Sequence, residues 1–339
     1  MTIERRVAKL RQNRWMKRAG GLMLACVACV VLMGKAEGED EPSDAATGVA
    51  HGQHRRGLVG RFDLRAAGGT GRTEHAVTRA LAWLAAHQRG DGHWGDPADD
   101  GLALLAFLGA GHTDRGSLRE NKYSTIVQNG LRALMTGQAD SGDLRPRDIR
   151  SHAIATLALC EAYWLTKDTR YKVPAQKALR FLNGQRTRQN GTWSADLRTN
   201  LWCVLALQGG RFGGFQVDPA ALPALTRWAR EGNGQNGSDW ASLYLSRIWL
   251  GTDPRAKPMR ALAKRITTGE MTTADDWMHG TQALFQTGGG RWIAWNKVMK
   301  TSVIDSQHRN GSWGSVADTA RYTMCLEVYY RYARFFARR

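Results

Sequence analysis

Apolar residues recur with a helical period along most of the chain, in segments separated by short turns that contain glycine. The first segment spaces Val77, Leu81 and Leu84 along one helical face, which predicts an amphipathic helix. The next segment, 99–111, is apolar nearly all round, and such a helix is expected to be buried on every side. Helical patterns of these two kinds alternate to the end of the chain, so we predict an all-α fold.

The pair of an amphipathic and an apolar segment recurs six times, which is typical of a repeat architecture. Amphipathic helices suit an outer ring, and apolar helices suit an inner ring. The last apolar helix stays apolar and aromatic to its end, whereas an open stack of repeats would need a polar cap there. We therefore expect an α6/α6 toroid, a barrel of six helical hairpins, over 73–339. The inner helices are expected to begin near Asp99, Arg150, Leu197, Asp239, Asp276 and Ala317.

One phrase of glutamine, glycine and tryptophan occurs at three of the predicted turns from an outer to an inner helix. The glycine lets the chain reverse with a positive φ. The glutamine amide could bond the carbonyls left unpaired at the end of the outer helix, and the tryptophan could cover that end. We predict a structural role for the three copies, which are Gln88, Gly92 and Trp94; Gln185, Gly191 and Trp193; and Gln307, Gly311 and Trp313.

This phrase resembles the QW motif, Gln-…-Gly-x-Trp, of terpenoid cyclases and protein prenyltransferase β-subunits. The resemblance runs from about Thr73 to Phe336. Within that range the chain is similar to exported bacterial proteins described as squalene-cyclase-like or as prenyltransferase and squalene oxidase repeat proteins. The resemblance implies an α/α toroid of the terpenoid cyclase fold and a relation to isoprenoids or other apolar lipids. The stretches that carry it most strongly are 101–113, 152–163, 280–296 and 326–332.

The two chemistries that the resemblance implies lack their motifs here. Class II cyclases use Asp-x-Asp-Asp-Thr-Ala, whose middle Asp protonates an alkene, and the nearest text is Ser-Val-Ala-Asp-Thr-Ala at 315–320. Ser315 and Ala317 replace the first Asp and the proton donor. Protein prenyltransferases hold Zn²⁺ with an Asp and a Cys one residue apart, and no Asp-x-Cys occurs in the sequence. We therefore expect no metal and no cofactor.

The N-termini of the inner helices would gather at one mouth of the toroid, and their first residues are our candidates for a site. Asp and Asn are good N-caps, which is a structural reason for most of them. A histidine gains nothing from the positive end of a helix, so His152 and His279 are candidates for acid–base catalysis, with Asp318 as a carboxylate partner. The other residues expected at this mouth are Asp99, Asp100, Asn200, Trp202, Asp239, Trp240, Asp276, Trp277 and Tyr322.

The N-terminus has the pattern of a signal peptide or membrane anchor, which we assign to residues 1–36. Basic residues precede the uncharged run 19–33 and acidic residues follow it. This asymmetry places the rest of the chain outside the cytoplasm, in the periplasm or cell envelope, with the run retained as an inner-membrane anchor or cleaved. Residues 37–72 are rich in Gly, Ala, Arg and acids without periodicity, which predicts a flexible linker.

The chain is strongly basic, with 48 Lys and Arg, 30 Asp and Glu, and a net charge of +18. Eight of the basic residues and one acid lie in 1–36, so the remainder carries +11, which favours anionic membrane surfaces. The remainder has no basic run and no nucleic-acid-binding motif, so we expect no nucleic-acid partner. Cys160, Cys203 and Cys325 lie in apolar stretches and are expected to be buried free thiols.

Three functions follow from these features. The first is an envelope protein that binds or processes an isoprenoid or similar apolar lipid, because aromatic side chains in a dry cavity would suit such chains. The second is a non-enzymatic scaffold with protein partners on its outer surface, which the absent motifs favour. The third is a carbohydrate-active toroid enzyme, which would need an open polar cleft with paired carboxylates. The sequence leaves the ligand and the oligomeric state open.

Overall fold

The computed structural model describes residues 68–116, 121–144, 148–187 and 190–331, and every regular element in these ranges is a helix. The prediction of an all-α fold is confirmed for this part of the chain. The predicted signal or anchor segment 1–36 and nearly all of the predicted linker lie outside the described residues. Over the described ranges, no helix combines the length and the apolar composition that a membrane crossing requires.

Six helices correspond to the amphipathic segments and six to the apolar segments, and they alternate along the chain. The amphipathic helices are α1 (Gly71–Ala86), α3 (Ser124–Thr136), α5 (Thr169–Gly184), α7 (Ala221–Glu231), α9 (Lys257–Thr268) and α11 (Gly289–Asp305). The apolar helices are α2 (Pro97–Gly109), α4 (Ile149–Thr166), α6 (Leu197–Gly213), α8 (Gly237–Trp249), α10 (Ala274–Thr287) and α12 (Val316–Leu326), and the short α13 (Val328–Arg331) follows. All six apolar helices begin within two residues of the predicted positions.

Each apolar helix has a short polar side chain as its N-cap. This cap lies about one turn before the polar residue that the sequence suggested for the start of the helix. In α10, Thr273 is the N-cap and Asp276 is the third helical residue, and the two form a reciprocal capping box. In α12, the Ser315 hydroxyl accepts from the Asp318 backbone N–H at 3.0 Å. The capping side chains are Asp96, Asp148, Asp196, Asn236, Thr273 and Ser315. The acids expected as caps therefore lie inside the first turn, where they still face the positive helix end.

The apolar helices contact one another in a closed cycle. Helix α2 packs against α4, α4 against α6, α6 against α8, α8 against α10, and α10 against α12. Helix α12 then packs against α2, so the series has no free end. Each amphipathic helix packs against at least one apolar helix, and α1 also contacts α11, the last amphipathic helix.

Three glutamine side chains join neighbouring amphipathic helices in the same way. Besides the glycine carbonyl of its own turn, each Nε2 donates to a carbonyl in the first half of the next amphipathic helix. Gln88 bonds Ile126 O at 2.9 Å, Gln138 bonds Pro174 O at 3.0 Å, and Gln307 bonds Ala76 O at 2.9 Å. The Gln307 bond joins the last turn of the repeat to α1, so it closes the outer series. We expected the amides of Gln88 and Gln307 to bond the end of their own helix, but they bond the next amphipathic helix instead. Gln185 makes neither of these two bonds within the described residues.

The tryptophans of the turn phrase bond the helix ends instead. The indole Nε1 of Trp94 donates to Leu84 O at 2.7 Å, and the indoles of Trp193 and Trp313 make the equivalent bond to the ends of α5 and α11. All three rings are buried. The glycines of the phrase have positive φ, at 93° for Gly92, 73° for Gly191 and 95° for Gly311. Gln138 and Gly142 (φ 93°) form a fourth such turn, in which Leu144 replaces the tryptophan.

The core is continuous and lies between the two sets of helices. Cys160, Cys203 and Cys325 are free and fully buried, as predicted, and burial raises the pKa of each thiol. A thiol in that environment stays protonated, so these cysteines act as small apolar core residues.

Candidate functional site

The three catalytic candidates from the sequence do not come together. His152 is fully buried and belongs to the fourth turn: its Nδ1 accepts from the Leu144 backbone N–H at 3.4 Å. Its Nε2 lies 3.0 Å from Ala178 O, which requires the proton to be on Nε2. Both ring nitrogens are therefore occupied, and burial lowers the pKa of this imidazole. This geometry assigns His152 a structural role rather than acid–base catalysis.

Asp318 lies at the exposed start of α12. Its side chain is 47% exposed, and its Oδ2 accepts from the Ser315 hydroxyl at 2.9 Å. This carboxylate reaches water and is bonded to its own helix cap, so it does not lie in a dry cavity where an alkene could meet it.

Two more candidates occupy the position of His152 in other repeats. Asp100 Oδ1 accepts from the Trp94 backbone N–H at 2.6 Å, and Asn200 Oδ1 accepts from that of Trp193 at 3.1 Å. Asp100 Oδ2 is also hydrogen-bonded to His93 Nδ1 at 2.6 Å. Among the predicted site residues, it is the only one with an imidazole bonded to it in the described part of the chain. These residues hold the turns to the apolar helices.

The remaining candidates contact their own turns or the amphipathic helices. Asp239 accepts from the Gln235 backbone N–H, and Trp240 Nε1 donates to Gly234 O at 2.8 Å. Asp276 takes part in the Thr273 capping box. The ring of Trp277 contacts that of Trp295, and the ring of Tyr322 contacts that of Trp313. Asp99 is half-buried at the start of α2, and burial raises its pKa, assisted by Asp96.

His279 and Trp202 meet across the cycle of apolar helices. Trp202 lies on α6 and His279 on α10, and α8 separates these two helices in the cycle. Their ring centroids are 5.5 Å apart with edge-to-face geometry. Both side chains are almost completely buried, at 2% and 0% exposure. These two side chains therefore face the centre of the cycle.

Neither side chain has a hydrogen-bond partner there. Trp202 Nε1 and both ring nitrogens of His279 are buried and unbonded within the described part of the chain. Burial lowers the pKa of His279 to about 4, with nearby Arg150 and Arg321 acting in the same direction and Asp275 opposing them. His279 is thus neutral at physiological pH, with one unused donor and one unused acceptor.

An ion-pair cluster lies one helical turn from His279. Asp275 is 8% exposed, and its two oxygens bind Arg150 Nη2 at 2.5 Å and Arg321 Nε at 3.0 Å. Arg150 lies on α4, which is opposite α10 in the cycle, so this pair spans the cycle near the N-termini of these two helices. Burial alone would raise the pKa of Asp275, but the combined positive charge around it lowers it to about 2. The carboxylate is therefore ionised and cannot act as a proton donor near neutral pH.

Sequence reasoning missed Arg150, Arg198, Asp275 and Arg321, although one signal was available. The texts Asp-Ile-Arg-Ser-His at 148–152 and Asp-Leu-Arg-Thr-Asn at 196–200 are equivalent, and each places an arginine second in an apolar helix. A cation is unfavourable at the positive end of a helix, so an arginine there needs a partner. For Arg150 that partner is Asp275, which is 125 residues away in the chain.

The side chains that face the centre continue along one stripe of each helix. From Trp202, steps of three or four residues lead to Leu205, Gly209 and Phe212, and the same steps from Arg150 lead to Leu157 and Trp164. Leu157 and Leu205 lie in the middle of α4 and α6, yet they are only partly buried. We take this exposure as the basis for proposing a space at the centre of the cycle. We call this space, together with its lining on α4, α6 and α10, the lumen.

The comparisons with known proteins give no family: no protein-family model and no curated protein matches this chain. The site therefore has to be interpreted from its own chemistry. Across the described residues, no group of three or more His, Cys, Asp or Glu side chains is arranged to hold a metal ion. Below Leu157 and Leu205, the buried rings of Trp202 and His279 form a layer that we call the floor, and the ion pairs of Asp275 lie beneath it.

Proposed function

We propose that this chain is an α6/α6 toroid of the terpenoid cyclase type whose lumen binds an isoprenoid or similar apolar lipid without converting it. The closed contact cycle and the Gln307 bond to α1 support the toroid. The observation that carries the binding function is the partial exposure of Leu157 and Leu205 in the middle of buried helices. An apolar surface that reaches solvent only inside a ring is suited to a lipid chain.

The electrostatics of the floor favour binding over catalysis. Protonation of an alkene needs a carboxyl group that carries a proton, as one member of a pair of coupled, desolvated carboxyl groups does. The carboxylate nearest the lumen floor, Asp275, is instead held ionised by Arg150 and Arg321. The same ion pairs argue against a glycosidase, because that reaction needs a second carboxyl group that can carry a proton.

An envelope location is part of the proposal. The basic N-terminus, the apolar run 19–33 and the acids after it support export, with the described helices on the outer side of the membrane. The surplus of basic residues beyond 36 supports contact with an anionic membrane surface.

The second candidate function is a scaffold, and α11 is the observation that favours it. Three large apolar side chains are exposed in the described residues, and two of them, Ile293 and Val298, lie on this helix. A groove of about 720 Å³ runs along α11, lined by Trp292 and Ile293 beside Lys297 and Lys300. Exposed apolar residues among lysines are suited to a protein partner with an acidic, apolar face.

Native mass spectrometry with an offered polyprenol would test the lumen. We expect uptake by the wild-type protein and by Val173→Trp, which enlarges a side chain that is 62% exposed on the outside. We expect no uptake by Leu205→Trp, because the indole would fill the lumen. If the wild-type protein takes up no isoprenoid, or if Leu205→Trp binds as well as wild type, the lipid function is wrong and the scaffold remains. Serine at Ile293 and Val298 should leave uptake unchanged.

A further inference from the structure

We infer that the side of the molecule formed by α9 and α11 docks on an anionic lipid membrane, with the basic side chains of α9 at the lipid headgroups and Ile293 and Val298 of α11 inserted among them. This inference rests on the envelope location proposed above and does not depend on the lumen. It assigns the exposed residues of α11 to a membrane rather than to the acidic protein partner of the second candidate function.

The outward face of α9 carries positive charge only. The exposed charged residues of this helix are Lys257, Arg260, Lys264 and Arg265. The helix contains no acid, and its opposite face is buried through Met259, Leu262, Ala263 and Ile266. Lys257, Arg260 and Lys264 follow one another at steps of three and four residues, so they form one basic stripe along the helix.

The basic residues of α9 have no acids beside them, unlike those of α5. Helix α5 also carries basic residues and no acid, but its Arg170 is paired with Asp168 at 2.7 Å and its Lys177 with Asp140 at 3.9 Å. None of the basic side chains of α9 forms an ion pair with another described residue. A surface whose positive charge is not neutralised by its own acids attracts an anionic partner.

Helix α11 adds exposed apolar side chains to the same side of the molecule. Helices α9 and α11 are neighbours in the amphipathic series, because both pack against α10. Ile293 is 70% exposed and Val298 is 55% exposed, and the exposed Lys297 lies between them in the sequence. The one acid of α11, Asp305, is paired with Arg72 at 3.0 Å. Apolar and basic side chains exposed together are typical of a helix that lies at a membrane interface.

The described chain begins on this side as well. The carbonyl of Gly68, the first described residue, accepts from Asn296 Nδ2 at 3.1 Å and from Lys300 Nζ at 2.6 Å, and both donors belong to α11. The predicted anchor lies in 1–36, on the N-terminal side of this point, so attachment there would bring the α11 side toward the bilayer. This position of the attachment favours a membrane over a separate protein as the partner.

Lysine acylation of the full-length protein in lipid nanodiscs would test the docking face without any substitution. One set of discs contains only neutral phosphatidylcholine, and the other contains about one third anionic phosphatidylglycerol. Mass spectrometry gives the reaction rate of each lysine. We expect Lys257, Lys264 and Lys297 to react at least about threefold more slowly in the anionic discs, and Lys172 on α5 to react equally in both. High salt should abolish the difference, because it screens the attraction.

Substitutions on one helix that are measured on the other test whether α9 and α11 form a single face. The double variant Lys257→Gln, Lys264→Gln should remove most of the protection of Lys297, because each basic residue lost weakens the membrane contact by about fivefold. The double variant Ile293→Ser, Val298→Ser should in turn reduce the protection of Lys257 and Lys264. All these side chains are exposed, so the melting temperature should stay unchanged.

The matched controls lie on α5, where Lys172→Gln with Arg180→Gln, and separately Val173→Ser, change residues that are also exposed. Both controls should leave the protection of Lys257, Lys264 and Lys297 intact. Protection of Lys172 instead, or equal acylation of every lysine in the two kinds of disc, would overturn the inference, and the second result would leave α11 to the protein partner. Failure of the protein to enter the discs would overturn the envelope location as well, whereas polyprenol uptake tests the lumen independently.

Discussion

Acidification from pH 7.5 to pH 5 should destabilise this protein through His279. The unfolded chain takes up a proton on this histidine near its ordinary pKa of 6.5, whereas burial in the folded protein lowers the pKa to about 4. The charged groups around it are Asp275 and Asp276 on α10, Arg150 on α4 and Arg321 on α12. The two acids raise the pKa, but burial and the two arginines together lower it by more.

The sign and the size follow from proton linkage. The unfolded state binds more protons than the folded state below pH 6.5, so stability is complete above that pH and falls as the pH drops toward 4. The gap between the two pKa values corresponds to about 3 kcal/mol in total, of which about 2 kcal/mol is lost by pH 5. Asp275, with a pKa of about 2, stays ionised over this window and contributes nothing to the change.

Urea unfolding at pH 7.5 and pH 5 would measure the effect, with wild type and His279→Gln side by side. Glutamine does not titrate, so the variant should lose about 2 kcal/mol less than wild type between the two pH values. His152, whose pKa is also lowered by burial, contributes equally in both proteins and cancels in the comparison. The exposed His75 provides the control, because His75→Gln should reproduce the wild-type loss.

The reasoning fails if His279→Gln shows the wild-type pH dependence. A second measurement does not depend on the stability of the variant: an NMR titration of the histidine ring signals of wild-type protein. The two buried imidazoles, His152 and His279, are both expected to take up a proton below their ordinary pKa, and a titration of every ring near 6.5 would refute the low pKa of His279.

Three further predictions concern the ring and its mouth. Asp275→Asn should lower the free energy of unfolding, measured by chemical denaturation, by about 3–5 kcal/mol, because it leaves Arg150 and Arg321 partly buried without a counter-charge. An unchanged denaturation midpoint would show that water screens these ion pairs. Gln307→Ala removes the bond that joins the last turn to Ala76 and should lower the free energy of unfolding by about 1–3 kcal/mol, with hydrogen exchange rising in α1 and α11; exchange unchanged in α1 would contradict a role in closure. Gly311→Ala should cost about 1–3 kcal/mol in thermal unfolding, because φ is 95° there and a Cβ would meet a backbone oxygen at 2.7 Å; a stable variant would mean that the turn relaxes easily.

The helices themselves could be predicted from the sequence, because the residue patterns that produce them are local. The apolar segment 99–111 could only be a buried helix, and the helix found there begins at Pro97. The capping residues were placed one turn too late because Asp and Thr are acceptable both as N-caps and inside the first turn. Only the hydrogen bonds distinguish the two, as at Thr273 and Asp276.

The candidate site could be predicted from the sequence only in part. His279 and Trp202 were both candidates from the sequence, and their rings meet across the cycle. His152, chosen by the same argument as His279, holds a turn. The two histidines have the same local sequence signal. They differ because His152 faces a neighbouring backbone, whereas His279 faces the centre of the cycle, and helix rotation of this kind is set by packing between repeats.

The sequence by itself determined that the chain forms alternating amphipathic and apolar helices joined by Gln-Gly-Trp turns, since periodicity and turn chemistry act over a few residues. Only the tertiary structure decided which polar groups meet. Arg150 and Asp275 are 125 residues apart in the chain and 2.5 Å apart in space because α4 and α10 lie on opposite sides of one cycle. A contact of that range depends on how all six repeats pack together, and no local pattern of residues encodes it.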